Sequence, residues 1–381
     1  MTGTIVSAVA PATGRKGPAF VDCDVHNELP DPQALLPYLP ARWHTEFLVN
    51  ASRGREWMGG GRSVSRLYPS RPQATTFRND ARPPSGGLPG SSFDFLKTDY
   101  LDYWNVEKAI LAPLNGNGWP LHGQFAAALC AALNDWMVAE WLDRDLRLYG
   151  AITITIEDPI LAAREITRAS ADARFVQVEM FSRTRDPLGH PRYWPIYEAA
   201  AAAGLPIAVH VGGAGNPTTG AGWPSYHFEY HAAYVHSFQA NVISLLASGV
   251  FEELPRLQVI MEEGGFAWAV ALAWRLDRAW RLMGREATHR DQPPSETLRN
   301  NFWFTTQPID EAEHPEHFRE MLGHLEHLGL ADRVMFSTDY PHWDFDAPDK
   351  SFPEIVTGEL RERIFRRNAA ALFRFPSGGA R

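Results

Sequence analysis

The sequence predicts an α/β protein whose eight strands close into a (β/α)8 TIM barrel. Eight short apolar runs rich in β-branched residues recur along the chain without clean alternation, as parallel strands covered on both faces do. Helical patterns lie between most of these runs. No glycine-rich dinucleotide motif follows the first strand, which disfavours an open doubly wound sheet.

Capping residues mark where two of the predicted helices between the strands begin or end. Asp158 and Pro159 suit a helix start, and Gly204 suits a helix end before Pro206. Each strand is placed on an apolar run and each helix on a stretch of longer periodicity. The predicted strands are 20–26, 108–113, 148–155, 175–181, 206–211, 257–263, 301–306 and 333–338. The predicted helices are 124–143, 158–169, 193–203, 266–282, 311–329 and 359–373.

The chain is predicted to hold one domain. Residues 1–19 are interpreted as an N-terminal tail and 20–381 as a single metal-dependent barrel domain. An irregular insertion at about 36–93, rich in glycine and proline, follows the first strand, where barrel enzymes carry lids. The alternative is a disordered linker between two domains, although too little sequence precedes it to form one.

Composition excludes several classes of partner. The chain has 381 residues, is 45% hydrophobic and carries a formal net charge of -9 without a basic block, which argues against nucleic acid or an anionic membrane as partner. It has two cysteines, too few for a disulfide scaffold or a cysteine-rich zinc site. Without a signal-like or membrane-spanning stretch, the expected location is the cytoplasm.

Ligand-type side chains stand at the carboxyl ends of the predicted strands, where barrel enzymes hold their active sites. Asp24 and His26 end the first strand, and residues two apart in a strand share a face. His210 ends the fifth strand, Glu263 the sixth and Asp339 the eighth. Such groups are costly in a dry cleft unless they are paired or bind a metal. The pattern predicts one divalent metal held by Asp24, His26, His210 and Asp339.

Each of these residues also has a structural interpretation. A single histidine in an apolar strand is usually a hydrogen-bonded core residue, and an aspartate after a strand is often a helix cap. Glu263 could form an ion pair or cap the next helix, and Glu262 is interpreted as structural. The convergence of several strand ends favours the metal. No lysine ends the fourth strand, so one metal is expected rather than two.

The ordered motifs carry a family resemblance. The segments "DVH", "HVGG" and "STDYPH", together with "GVFEELPRLQVIMEEGGFAW", resemble the amidohydrolase superfamily, and more narrowly its aminocarboxymuconate-semialdehyde decarboxylase-like group. The resemblance runs from about residue 20 to 373, apart from the insertion. It implies a distorted barrel with one divalent metal, zinc in first place and manganese as the alternative. It also implies a homodimer or a higher homo-oligomer.

Two positions depart from the usual pattern of that group. The first motif has Asp24 where relatives carry histidine or glutamate, which keeps an oxygen donor beside His26. Glu263 stands where many relatives have a histidine before paired glycines. A glutamate can accept a proton or orient a water, but it cannot supply an imidazole donor.

Aromatic residues near the strand ends indicate a small aromatic or apolar substrate. Trp119, His342 and Trp343 are the predicted substrate contacts, with lid packing or a subunit contact as the alternative. A segment after the fifth strand, with Tyr226, His227, Tyr230 and His231 among its residues, could overhang the site.

The leading functional hypothesis is a metal-dependent hydrolase of an ester, lactone or amide. In it, Asp339 takes a proton from metal-activated water and Glu263 assists. The alternative is a metal-dependent decarboxylase of an aromatic or dienoic acid. A barrel that binds metal without catalysis is a third possibility.

Overall fold

Eight parallel strands form one sheet, in sequence order, in the computed structural model of the chain. The structure describes residues 17–51, 77–114, 123–213, 220, 222, 224, 226–284, 292–354, 356–373 and 375, except for the side chains of 50 and 51. The strands lie close to their predicted positions. They are β1 Phe20–Val25, β2 Val106–Leu111, β3 Leu148–Thr153, β4 Phe175–Phe181, β5 Ile207–His210, β6 Val259–Glu262, β7 Phe302–Thr305 and β8 Val334–Met335.

Backbone hydrogen bonds join the last strand to the first. Cys23 N donates to Phe336 O at 3.1 Å, and His26 N donates to Tyr340 O at 2.7 Å. Between them, Asp339 N donates to Asp24 O at 3.2 Å. The sheet therefore closes on itself, which confirms the predicted (β/α)8 barrel. Register shifts in the β1–β2 and β3–β4 pairs make the barrel irregular.

Helices cover the outside of the barrel between the strands. The predicted helix over 124–143 is an α-helix that continues into a π-helical turn, Val138–Leu142, and the last predicted helix is divided in the same way by Arg363–Arg367. The α-helices are α1 His44–Ala51, α2 Phe93–Leu96, α3 Gly123–Met137, α4 Pro159–Ala169, α5 Trp194–Ala203, α6 His227–Ala232, α7 Tyr234–Ala247, α8 Val250–Glu253, α9 Trp268–Met283, α10 Pro294–Asn301, α11 Pro315–Leu328, α12 Gly358–Glu362 and α13 Asn368–Phe373.

The predicted caps set the ends of two helices. The Asp158 side chain accepts a hydrogen bond from Leu161 N at 3.1 Å, and Pro159 occupies the first turn of α4. Gly204 ends α5 in the left-handed conformation, with φ at 71°. Both caps could be predicted from the sequence because each depends on local backbone geometry alone.

An apolar layer fills the lower part of the barrel and leaves its upper end to polar residues. Every strand contributes at least one buried side chain to this layer, and β1 contributes Cys23 as well as Val21. The contributors from the other strands are Ile110, Tyr149, Val176, Ala208, Ile260, Trp303 and Met335. His210 and Glu262 lie two residues beyond Ala208 and Ile260, so the next layer toward the carboxyl ends is polar and buried.

The described ends of the insertion contact the barrel. Phe47 of α1 is fully buried, which explains a short helix that the weak periodicity did not predict. Glu28 N donates to Gly90 O, and Arg78 N donates to Pro341 O, each at 2.9 Å. The glycine-rich part at 52–76 lies outside the described residues.

Among the described helices, none combines the length and the apolar character that crossing a lipid bilayer demands.

A buried carboxylate ties β1 to the residues that follow β8. Asp22 accepts hydrogen bonds from Thr338 N at 3.0 Å and from Thr338 Oγ1 at 2.6 Å. The Tyr100 hydroxyl donates to the same carboxylate and lies 3.0 Å from Thr338 Oγ1. Burial raises the pKa of Asp22 to about 6 even though these donors oppose the shift. This cluster holds the seam next to Asp24 and Asp339.

Loss of the Tyr100 hydroxyl is expected to destabilise the barrel. Tyr100→Phe leaves the buried Asp22 carboxylate with one donor fewer and should lower the free energy of unfolding by about 1–3 kcal/mol. Tyr103→Phe is the matched control, since no hydrogen bond of its hydroxyl occurs among the described residues, and should change stability by less than about 0.5 kcal/mol. Urea unfolding measures both, and equal stabilities would contradict the role of the seam.

Candidate metal centre

The predicted ligands meet at the carboxyl end of the barrel. His26 Nε2 lies 2.8 Å from Asp339 Oδ1 and 3.3 Å from Asp24 Oδ1. His210 Nε2 lies 2.9 Å from Glu263 Oε2 and 3.7 Å from Asp24 Oδ2. All five side chains are buried. Residues from four strand ends, β1, β5, β6 and β8, therefore share one small volume.

Two overlapping groups of four residues have the spacing of a metal site. In each group, the possible ligand atoms lie within 4.8 Å of one another. His26 and Glu263 belong to both groups. The first group is completed by Asp24 and His210, and the second by Asp339 and His342.

Several ligand-type atoms at this point lack a hydrogen bond. Within the described part of the chain, both carboxylate oxygens of Asp24 and the Nε2 atoms of His26 and His210 are buried without a hydrogen-bond partner. Buried polar atoms are normally paired, so a set of unpaired atoms aimed at one point indicates an absent partner. Two oxygens and two imidazole nitrogens suit a divalent metal such as zinc or manganese. The residues present therefore fit the expected metal.

Backbone carbonyls orient both imidazoles toward that point. His26 Nδ1 lies 2.6 Å from Ala112 O, and His210 Nδ1 lies 2.6 Å from Val211 O. A carbonyl accepts and cannot donate, so each Nδ1 carries the proton. Each Nε2 is thereby free to present its lone pair to a cation, the arrangement typical of metal-binding histidines.

Left-handed backbone conformations place the two candidate proton-transfer residues. Glu263 and Asp339 have φ values of 59° and 60°, a conformation uncommon outside glycine. Thr305 Oγ1 accepts a hydrogen bond from Glu263 N at 3.0 Å and holds this turn. The chain continues through Gly264, where an added Cβ would lie 2.6 Å from the Phe238 ring. The glycine after Glu263 is thus required by the packing of α7.

Burial raises the pKa values of the acidic groups at the site. Desolvation raises the pKa of Asp24 and of Asp339 to about 7, although His26 acts in the opposite direction on both. Burial and then the charge of Asp339 raise the pKa of Glu263 well above its usual value. A bound divalent cation would favour the ionised forms of all three groups.

Two further carboxyl groups lie inside the barrel near the centre. The Glu262 carboxylate accepts from Gln177 Nε2 at 3.2 Å, and burial raises the pKa of Glu262 to about 8. Both oxygens of Glu179 are buried without a hydrogen bond to any described residue, and burial raises the pKa of Glu179 well above the usual range. Sequence analysis treated Glu262 as structural, but strand register brings it level with His210. These groups add to the negative charge that a cation would offset.

The residues after β8 form a polar shell around Asp339. His342 Nδ1 lies 2.5 Å from Asp339 Oδ1, and the His342 ring lies 4.6 Å from that of His26. Gln307 Nε2 donates to Asp339 Oδ2 at 3.2 Å and to Asp344 Oδ2 at 2.9 Å. Sequence analysis named His342 only as a substrate contact and missed Gln307 and Asp344. The i, i+3 spacing in "DYPH" was the one available signal.

Of the two tryptophans predicted to contact substrate, Trp343 belongs to the described part of the chain. Trp119 lies outside the described residues. Trp343 is 48% exposed, and its ring lies 5.7 Å from His227 and 5.4 Å from His231 of α6. The segment after β5 thus contains a short helix that contacts the loop after β8.

Removal of one imidazole is expected to empty the centre. His210→Ala takes away one of the unpaired nitrogen atoms, so metal content should fall from about one ion per chain to well below half while the fold persists. His236→Ala, an exposed histidine of α7, is the control and should keep its metal. Elemental analysis of both variants checks this, and unchanged occupancy in His210→Ala would contradict it.

Metal affinity is expected to rise with pH. Below a pH of about 7, Asp24 and Asp339 keep protons in the metal-free protein, and a cation must displace them. Binding of Mn²⁺ to metal-free protein should be markedly tighter at a pH of about 8 than at about 5.5, with protons released on binding. Calorimetric titration in buffers of different ionisation enthalpy measures both quantities. Equal affinity at both pH values would show that these carboxyl groups do not bind the ion.

Known proteins resemble this chain over most of its length. The gamma-resorcylate decarboxylase of Rhodococcus jostii is 28% identical over 330 residues, 76% of this chain and 93% of that protein. The crystal structure of the 5-carboxyvanillate decarboxylase LigW from Sphingomonas paucimobilis matches with a TM-score of 0.65 and 22% identity, over 94% of this chain and 99% of the other.

A second structure bears on the metal. A dihydroxybenzoic acid decarboxylase from Polaromonas sp. JS666, solved with bound manganese and the inhibitor 2-nitroresorcinol, matches with a TM-score of 0.63 and 17% identity. The match covers 94% of this chain and 98% of that protein. At this identity the likeness shows the shared fold.

The expectation of a hydrolase is wrong. The sequence relatives and the structures described above are decarboxylases of aromatic acids. The ligand set alone does not distinguish the two reactions, because the same imidazoles and carboxylates serve hydrolysis and decarboxylation. The stated alternative, a metal-dependent decarboxylase, agrees better with these proteins.

Membership of the wider family is unambiguous. The model of the amidohydrolase family named Amidohydro_2 matches residues 21–375, which include the whole barrel and every residue of the centre. The resemblance drawn from "DVH", "HVGG" and "STDYPH" is confirmed. The chain belongs to the amidohydrolase family.

Proposed function

We propose that the protein is a metal-dependent, non-oxidative decarboxylase of a small aromatic acid. The observation that carries this proposal is a pair of buried carboxyl groups, Glu263 and Asp339, which lie with His26 and His342 in one group whose ligand atoms are within 4.8 Å of one another. Such groups can hold a proton at neutral pH. Decarboxylation needs a proton donor at this place, since a ring carbon must gain a proton as carbon dioxide leaves.

The metal is proposed to be held by Asp24, His26, His210 and Asp339. When bound, a divalent cation supplies positive charge that attracts and orients the carboxylate of the substrate. Manganese is favoured over zinc, because manganese is bound in the related Polaromonas structure. Two carboxylates beside two imidazoles are compatible with that choice.

Asp339 is proposed to protonate the ring carbon. The bond from the ring to the carboxylate breaks, its electron pair stays on the ring carbon, and a proton from Asp339 forms the new C–H bond. His342, 2.5 Å from Asp339 Oδ1, holds the carboxyl group in place.

Glu263 is proposed to pass to Asp339 a proton taken up from solvent, which replaces the proton that the ring carbon keeps. Sequence analysis raised the objection that a glutamate cannot replace the imidazole donor of many relatives. A buried carboxyl group with a raised pKa can itself donate a proton, which supports this role for Glu263. The dimer and the cytoplasmic location implied at the outset remain predictions, as does a role for Trp119, His342 and Trp343 in contacting substrate.

The function is tested by product analysis. Protein loaded with Mn²⁺ is expected to release carbon dioxide from one or more hydroxybenzoates and to leave the corresponding phenol. Metal-free protein is the control and should be inactive until Mn²⁺ is added back. Hydrolysis of an ester, lactone or amide without decarboxylation of any aromatic acid would contradict the proposal.

Glu263→Gln is expected to keep its fold and metal and to lose turnover by roughly 10²–10⁴, the usual range for general acid–base groups. Asp339→Asn should be more damaging, because it alters a metal ligand and the proton donor together. Glu253→Gln, an exposed glutamate of α8, is the matched control and should keep full activity.

Steady-state rates and elemental analysis distinguish the outcomes for Glu263→Gln. Turnover within a few-fold of wild type at full occupancy would refute proton transfer by Glu263. Loss of metal from this variant would instead identify Glu263 as a ligand, which its place in both ligand groups permits.

A further inference from the structure

We propose that His231 is a positioning residue that acts on Asp339 through Asp344 and Gln307, and so ties helix α6 to the proton donor. The inference rests on the proposed function for the role of Asp339. It gives helix α6 a role in catalysis, although α6 contributes none of the candidate metal ligands.

Helix α6 contacts residues that follow two different strands of the barrel. On one side, Tyr230 contacts Arg183, which follows β4: Arg183 Nη2 lies 3.5 Å from the Tyr230 hydroxyl and the guanidinium 5.7 Å from its ring. On the other side, His231 contacts Asp344, which follows β8. Strands β4 and β8 are four apart in a closed sheet of eight and so stand opposite each other. A helix that contacts residues following both strands lies at the carboxyl end of the barrel, the end that holds the metal centre.

A continuous hydrogen-bonded chain connects this helix to Asp339. His231 Nε2 lies 2.8 Å from Asp344 Oδ2. Gln307 Nε2 donates to the same oxygen at 2.9 Å and to Asp339 Oδ2 at 3.2 Å. Each link is short, and every member of the chain is buried or half-buried.

Asp344 determines which end of the Gln307 amide faces Asp339. The Nε2 atom of Gln307 has two hydrogens, and the two carboxylates each receive one, while its Oε1 atom has no hydrogen-bond partner among the described residues. Burial opposes the ionisation of Asp344, but the hydrogen bond from His231 and the charge of His342 outweigh it, so the pKa of Asp344 is lowered. An ionised Asp344 repels Oε1 and keeps the donor end of Gln307 on Asp339.

The polar link of His231 can be separated from its packing. Its ring lies 5.4 Å from Trp343 and 5.1 Å from Tyr234, contacts that a phenylalanine can keep. His231→Phe therefore removes the hydrogen bond to Asp344 with little change in ring contacts. His231→Gln restores a donor. His236→Phe, at an exposed position of α7, is the matched control.

The first test is the steady-state kinetics of metal-loaded variants on a hydroxybenzoate that the wild type decarboxylates. His231→Phe is expected to lower kcat by roughly 3- to 30-fold with little change in KM and full metal content. His231→Gln should recover most of that loss, and His236→Phe should match wild type. A kcat for His231→Phe within twofold of wild type would overturn the proposal.

A double-mutant cycle tests the order of the chain. If His231 acts only through Asp344, the double variant His231→Phe/Asp344→Asn should be no slower than Asp344→Asn alone. Losses that multiply would show that the two residues act independently, which would also overturn the proposal.

Hydrogen exchange of α6 is the readout that does not depend on activity. Backbone amides of residues 227–232 should exchange faster in His231→Phe than in wild type or His236→Phe, because the tether to Asp344 is lost. Equal exchange rates would overturn the proposal whether or not the protein is active. If the wild type decarboxylates no aromatic acid, the proposed function fails, and the exchange data alone decide whether α6 is tethered.

Discussion

The structure depends on the cost of burying acidic groups in one small volume. Asp24, Glu263 and Asp339 lie at the carboxyl end of the barrel, with Glu179 and Glu262 inside it. The two imidazoles of His26 and His210 lie at the same point, where the five carboxyl groups outnumber them. Buried charges of one sign are unstable unless protons or a cation neutralise them. A divalent ion at the unpaired atoms of Asp24, His26 and His210 removes most of that cost.

The surrounding fold keeps these groups from separating. The Asp22 cluster joins β1 to the end of β8 and so fixes the distance between Asp24 and Asp339. Backbone carbonyls hold both imidazoles in one orientation. Left-handed turns at Glu263 and Asp339 project their carboxyl groups toward the same point. Strain and like-charge repulsion are tolerated here because the remainder of the barrel is an apolar, closely packed support.

The sequence predicted the barrel and the convergence of the candidate ligands at one end of it, because both follow from short-range rules. Apolar runs mark the strands, and parallel strands bring Asp24, His210 and Asp339 to one end. The sequence did not predict Gln307 and Asp344, which lie in irregular segments whose contacts depend on tertiary structure. It also favoured the wrong reaction, since one ligand set serves both chemistries. The raised pKa of Glu263 arises from burial that only the folded chain reveals.

The most direct measurement is a crystal structure of protein soaked in Mn²⁺, with anomalous diffraction recorded to locate the ion. The account predicts one strong anomalous peak per chain, at about 2.0–2.3 Å from Nε2 of His26 and of His210 and from carboxylate oxygens of Asp24 and Asp339. A peak at another place, or none at saturating Mn²⁺ while the unpaired atoms instead bond to ordered water, would contradict it.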